Sequence, residues 1–286
     1  MTAFEWKGRC GMPNSVKILK RYRTFCVQEQ HRYSSTNSKG DQGKWRIGDV
    51  WIKADTQGYE GLAEELGTLL LTCVEDVPHV SYAVCTLKIG DVVRHGCYSH
   101  SMFLHEEEAF VSLSRLFEQR GLLFEDLLQG RSTQEGIASV LSFLESNYGL
   151  HLEDYLCKTL YVDLLMANED RHPNNLGVIR DMKANQYRMA PIFDNGLAFL
   201  ARNALWGKFP VEVALRRLKY EPFGNRQVQA LRKLFPDYKL RINKDLLDKR
   251  LSEYTNSLYS EQTVARAIAV LNHQLDAYEG NVWTRR

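Results

Sequence analysis

Apolar positions follow two different rhythms along the chain. Over residues 1 to about 100 they come in short strand-like runs broken by turn chemistry. Ser34 to Gly43 is a small polar run that reads as a loop, and the β-type run Lys44 to Lys53 follows it with Trp45, Ile47, Val50, Trp51 and Ile52. After Gly58-Tyr59-Glu60-Gly61, the residues Leu62, Leu66, Leu69 and Leu70 recur at spacings of 4, 3 and 1, which puts them on one helical face. Val77 to Lys88 and Asp91 to Tyr98, separated by Ile89-Gly90, predict a further strand pair.

From about Glu106 the rhythm turns helical. Leu113, Leu116 and Phe117 mark one segment, and Ile137, Val140, Leu141 and Leu144 another. His151 to Met166 is too apolar all round for a solvent-facing helix and predicts a buried one ending at Ala167-Asn168. Asn243 to Leu258 and Ser260 to Tyr278 read as amphipathic helices. The acidic run Glu106-Glu107-Glu108 suits a helix start, where carboxylates meet the positive end of the macrodipole. The expectation is an α+β fold with a β-rich lobe over residues 1–105 and a mainly helical lobe over 106–286.

A length of 286 residues suits one or two packed domains sharing a cleft. With 44% hydrophobic and 25% charged residues the composition is that of a globular chain, which excludes a disordered or membrane class. The net charge of +2 gives no bulk reason for direct nucleic-acid binding. Six dispersed cysteines, with no Cys-x-x-Cys pair, read as reduced thiols. Neither a signal-peptide core nor an apolar run near the ~20 residues of a bilayer span is visible, so no membrane span and a cytoplasmic location are expected.

The chemistry concentrates in residues 168–196. Asn168-Glu169-Asp170-Arg171-His172-Pro173-Asn174-Asn175 lies between the buried helix and an apolar strand. A second apolar strand then leads through Pro191-Ile192-Phe193 to Asp194-Asn195-Gly196. The polar connection Asp181 to Asn185 predicts a hairpin, which would return Asp194 to the neighbourhood of Asp170. Phosphoryl transfer uses one carboxylate at the acceptor hydroxyl, with an Asn and a second Asp on the metal that bridges the nucleotide phosphates. Asn175 follows Asp170 by five positions, the separation of an Asp-x-x-x-x-Asn catalytic loop, and Phe193-Asp194-Asn195-Gly196 supplies the later Asp-x-Gly.

Asn-Glu-Asp-Arg-His-Pro-Asn-Asn and Pro-Ile-Phe-Asp-Asn-Gly together resemble the paired motifs of HipA-like serine/threonine kinases, over about Ser34 to Phe199. The resemblance implies a bilobed protein-kinase-like fold and a chain that uses ATP and Mg2+. It makes Asp170 the catalytic aspartate, Asn175 a metal ligand and Asp194 the principal metal-binding aspartate. A kinase also needs a cation on the phosphates, held by a helix carboxylate. Lys53 at the strand end and Glu64 on the following helix are the expected pair, with Glu65 the competing partner. Ser34 to Gly43 has no Gly-x-Gly-x-x-Gly, yet its place before the lysine strand makes it the expected phosphate-covering loop, with Ser35 and Ser38 near nucleotide. The resemblance also implies autophosphorylation within Ser34 to Ser38. The compact chain looks more like the minimal HipA-like kinases than the full toxin.

Simpler roles stand beside these. Asp and Asn favour capped turns, Lys53 could be a solvated strand end, and Glu60, Glu64 and Glu65 could form a solvated helix face. Arg171 divides between pairing a phosphate and supporting the loop, while His172 reads as structural. Trp45 and Trp51 read as core aromatics. The expected partner is a protein substrate with a Ser or Thr acceptor, and a DNA-binding antitoxin is implied by family analogy alone. A lipid or small-molecule kinase of related fold, or a nucleotide-binding pseudokinase, are the alternatives.

Overall fold

The computed structural model describes residues 22–32 and 42–286. Ser35 and Ser38 lie outside the described residues, as does most of the loop expected to cover phosphate.

Strands β1 (Arg23–Val27), β2 (Lys44–Ile47), β3 (Val50–Ala54), β4 (Tyr82–Ile89) and β5 (Val92–His100) form one sheet in the order β1-β4-β5-β3-β2, with β1 parallel to β4 and the other pairs antiparallel. The run Lys44 to Lys53 is therefore two strands rather than one. Gly48, at φ +62°, makes a tight turn that a side chain would strain, and the chain folds back on itself. The resulting register sets Lys44 directly opposite Lys53, so both side chains leave the same face of the sheet. Alternation sends Ile52 to the other face, where it packs with Trp45 and Leu87. Of the stretch from Val77, only Tyr82 onward is strand.

Helix α1 (Glu60–Leu71) packs across this sheet, burying Leu62, Leu66 and Leu70. Its approach is very close. A Cβ on Gly96 of β5 would overlap the carbonyl oxygen of Lys53, and one on Gly61 of α1 would meet the backbone of Gly96. Glycine at position 61 lets the helix come near enough to the sheet for α1 side chains to reach β3, and glycine at 96 leaves room for the Lys53 carbonyl of the neighbouring strand.

The segment from His100 to Glu108, which contains the expected division at residues 105 and 106, leads into the second lobe. That lobe begins with a strand, β6 (Glu108–Ser112), and not with the helix expected at the acidic run. The Glu108 carboxylate accepts from Leu104 N at 2.6 Å and from Arg188 Nε and NH2 at 3.0 and 2.8 Å. A partner 80 residues away outweighs any helix-dipole preference of the run. Helices α2 (Leu113–Glu118), α3 (Thr133–Tyr148) and α4 (Glu153–Met166) follow. Helix α3 is started by a Ser132/Glu135 capping box. The all-round apolar α4 is the buried centre of the main core and ends at Ala167 in the left-handed conformation.

β7 (Gly177–Asp181) and β8 (Gln186–Met189) form the expected hairpin, and β6 completes a three-stranded antiparallel sheet. β8 stops at Met189, so Asp194 is carried by an extended segment rather than a strand; Pro191 has no N–H for a ladder. Short helices α5 (Asn203–Trp206), α6 (Val211–Arg217) and α7 (Gln227–Leu234) follow. β9 (Leu240–Ile242), α8 (Lys244–Glu253), α9 (Glu261–Tyr278) and β10 (Trp283–Arg285) close the chain, with β9 and β10 parallel neighbours. Among the described residues the cysteines Cys26, Cys73, Cys85, Cys97 and Cys157 are free thiols. No helix among the described residues is long and apolar enough to cross a membrane.

Candidate active site

The junction of the two lobes brings Lys53, Glu64 and Asp194 together. The Lys53 ammonium donates to Glu64 Oε1 at 2.7 Å and to Asp194 Oδ1 at 2.6 Å, and lies 4.8 Å from the centroid of the Tyr82 ring. Lys53 is 7% exposed and Glu64 fully buried, so neither occupies the solvated position open to it on sequence grounds. Burial works against the Lys53 charge, but Asp194 and Glu64 more than restore it and hold its pKa well above the lysine range. Burial also pushes the Glu64 carboxyl up, with Lys53 pulling against it. The second oxygen of Glu64 accepts from the backbone N–H of Asn195 at 2.9 Å, which ties α1 to the loop carrying Asp194.

Asp194 sits in the left-handed region at φ +59°. Its other oxygen, Oδ2, lies 3.5 Å from Lys44 Nζ. Burial alone would raise its pKa, yet Lys53 and Lys44 hold the carboxyl well below the usual range, so it is an anion at any ordinary pH. Lys44 is a site residue that the sequence reading missed. Its signal was the Gly48-Asp49 turn: once the run is read as a hairpin, the lysines at its two ends must face each other.

The other glutamates of α1 have different work. Glu60 accepts from the backbone N–H groups of Thr56, Gln57 and Gly58 at 2.6 to 2.9 Å, fixing the turn into the helix. Glu65, the competitor for Lys53, instead accepts from Val84 N at 3.3 Å and from the Tyr254 hydroxyl.

On the C-lobe side, Arg171 is fully buried. It donates from Nε and Nη2 to the two oxygens of Asp163 on α4, both at 2.9 Å, from Nη1 to Phe193 O, and from Nη2 also to Asn195 Oδ1. Burial opposes its charge, and Asp163 more than offsets this. Of the two roles open to Arg171, this geometry is loop support. Phe193 and Asn195 flank Asp194, so one guanidinium locks the Asp170 loop to the Asp194 segment. Asp163 was unnoticed in sequence, although an acid within a helix apolar all round was its signal.

Asp170 directly precedes Arg171 in the loop. Its backbone N–H donates to Asn168 Oδ1 at 3.2 Å, and Arg202 NH2 lies 3.7 Å from its carboxylate. Burial raises its pKa to about 6; Arg202 pulls it back and the Asp194 charge adds to the rise. Glu169 next door accepts from Trp206 Nε1 at 2.9 Å. His172 accepts at its backbone oxygen from Asn175 N at 2.9 Å, forming the turn Pro173–Asn175 that buries Asn175.

A cleft of about 460 Å³ opens above Lys53 and Asp194, walled by Trp51, Val80, Tyr82, Met102, Phe103 and Phe110. Trp45 is the core aromatic expected, but Trp51 borders this cleft. The arrangement couples an apolar slot to two ammonium groups and a permanent carboxylate, the chemistry that suits an aromatic base joined to phosphates. Among the described residues no group of three or more His, Cys, Asp or Glu could hold a metal ion. The oxygens of Asn175 and Asp194 suit magnesium, which takes few protein ligands and completes its shell with phosphate and water.

No protein-family model matches the chain, and no curated protein matches it by sequence. Solved structures do match in fold. The Helicobacter pylori proinflammatory kinase CtkA superposes with a TM-score of 0.57 at 14% identity, covering 88% of this chain and 93% of that one. The HipA–HipB toxin–antitoxin complex of Shewanella oneidensis MR-1 with its operator DNA gives a TM-score of 0.46 at 13% identity, covering 86% of this chain and 64% of that one. The match to the CtkA kinase shows the bilobed kinase-like fold that the motifs implied.

Proposed function

We propose that the chain is an ATP- and Mg2+-dependent serine/threonine protein kinase. The observation that carries this reading is the Lys53 ammonium held between Glu64 at 2.7 Å and Asp194 at 2.6 Å at the base of the aromatic-walled cleft. In a kinase the lysine–glutamate pair and the metal-binding aspartate must both be in place before phosphate can transfer. ATP places its base in the cleft and its phosphates toward Lys53 and Lys44. Asn175 and Asp194 would hold Mg2+, which would supply neutralisation of the phosphate charge.

Asp170 orients the acceptor hydroxyl and takes its proton. The new ester bond forms from the hydroxyl oxygen to the γ-phosphorus, the bond from that phosphorus to the β-bridging oxygen breaks, and ADP leaves. Lys53 and Lys44 stabilise the charge that gathers on the phosphate oxygens. Glu64 keeps Lys53 aimed, and Asn195, anchored by both Glu64 and Arg171, keeps Asp194 in position.

The test is incubation with labelled ATP and Mg2+ in the presence of separate protein and lipid pools, using wild type and Asp170→Asn. Label should enter protein on serine or threonine, and Asp170→Asn should reduce transfer by ~100-fold or more while Mg-ATP still binds. Label in lipid, or full turnover by a correctly folded Asp170→Asn, would overturn the reading.

A further inference from the structure

A second cavity of about 560 Å³ lies against the catalytic loop and shares no lining residue with the nucleotide cleft. Its volume is within the ~300–1,000 Å³ typical of ligand sites. Phe124, Pro173 and Pro222 give it apolar surface, and Glu125, Glu221 and Lys219 supply its charges. His172 and Pro173 belong to the turn that follows Asp170, so the cavity borders the loop that carries the carboxylate assigned to the acceptor hydroxyl.

The wall opposite that turn is built rather than loose. Asn225 accepts from Tyr220 N at 2.9 Å and donates to Leu218 O at 3.0 Å, and Gln227 accepts from Phe223 N at 3.3 Å. This loop presents Glu221 close enough to Asp170 for its charge to help raise the Asp170 pKa. Arg202 offsets Asp170 and Glu169. What remains around the cavity is two exposed carboxylates, Glu125 and Glu221, against one ammonium, Lys219.

In-line transfer requires the acceptor to approach Asp170 from the side away from the nucleotide. This cavity meets the Asp170 loop at His172 and Pro173 and is lined by residues separate from those of the nucleotide cleft. Resting on the kinase reading, we infer that the cavity is the acceptor groove, and that it takes a polypeptide segment carrying Lys or Arg beside its Ser or Thr. The apolar surface of Phe124, Pro173 and Pro222 holds the segment's neighbouring side chain or stem. Glu221 and Glu125 attract its cation and so orient the hydroxyl toward Asp170.

The experiment uses the full chain with Mg2+ and two serine peptides that differ only in flanking Arg or flanking Glu. Transfer from labelled ATP is measured beside binding of the fluorescein-labelled peptides by anisotropy with a non-hydrolysable ATP analogue. The Arg peptide should be preferred in both readouts. Glu221→Gln should lower kcat/KM for it by about fivefold, and Glu221→Lys by about tenfold or more with a gain for the Glu peptide. Affinity for ATP should be unchanged in both, and Glu125→Lys should act in the same direction if the groove is continuous. Glu221 is exposed, so its variants should fold, which thermal unfolding checks. Transfer that proceeds equally to both peptides, or a preference that Glu221→Lys leaves untouched, would overturn the groove and leave the kinase reading standing. No transfer to any peptide or protein would overturn the kinase reading, and the groove assignment with it.

Discussion

Replacing Arg171 with Met tests whether one buried ion pair holds the two halves of the site together. Arg171 and Asp163 are both fully buried, joined by two hydrogen bonds of 2.9 Å. Removing the arginine leaves a carboxylate in the core that keeps the Asn168 Nδ2 donor at 2.8 Å but has lost its charged partner. Breaking a buried pair in this way costs about 3–5 kcal/mol. The Phe193 carbonyl and the Asn195 side chain lose a donor at the same time, at about 1 kcal/mol or more each if no water replaces it. These penalties overlap, so the net expectation is a loss of about 4 kcal/mol, a large share of the ~5–15 kcal/mol stability of a folded domain. Urea unfolding measures it as a lower midpoint at nearly unchanged slope. The double variant Asp163→Asn/Arg171→Gln removes both charges at similar volume and should recover about half of the loss, because no unpaired charge stays behind. It should not recover activity, since Phe193 and Asn195 still lose the guanidinium that sets Asp194. A loss below about 1 kcal/mol for Arg171→Met would refute the reasoning.

Three further outcomes are expected. Asp170 acts as a base only when ionised and its pKa is raised to about 6, so kcat/KM should climb as pH rises through about 6 and then level off; a profile flat from pH 5 to 8 would dissociate Asp170 from proton transfer. Gly96→Ala sets a methyl group against the Lys53 carbonyl, so β5 must move away from β3, with an expected stability loss of about 1–3 kcal/mol by thermal unfolding and a higher KM for ATP. Lys44→Met removes one of the two cations on Asp194 and on the phosphates, and should weaken ATP binding by about tenfold in calorimetry while leaving the fold intact; unchanged affinity would make Lys44 a bystander.

The Asp170–Asn175 loop was legible in the sequence because its motif is local. Asp170 and Asn175 are five positions apart on one turn, and the Asp181–Asn185 connection has the composition of the hairpin it forms. The leucines of α1 and the all-round apolar α4 were legible for a similar reason, since a helical period states which side is buried. The Lys53–Glu64 pair could be expected from the strand, turn and helix between them. What a period cannot state is what lies across the buried side. Glu60, Glu64 and Glu65 look alike as a run, yet one fixes a turn, one holds a lysine and one accepts from a tyrosine 189 residues further on. Glu108 looked like a helix start until Arg188 met it across a sheet. Lys44, Asp163 and Glu221 belong to the same class, because a charged side chain carries no periodic signal and its energy depends on the dielectric and the partners that folding places around it. Sequence alone therefore determined the motif and the elements that bear it, and only the tertiary structure decided which charges were to be buried, and against what.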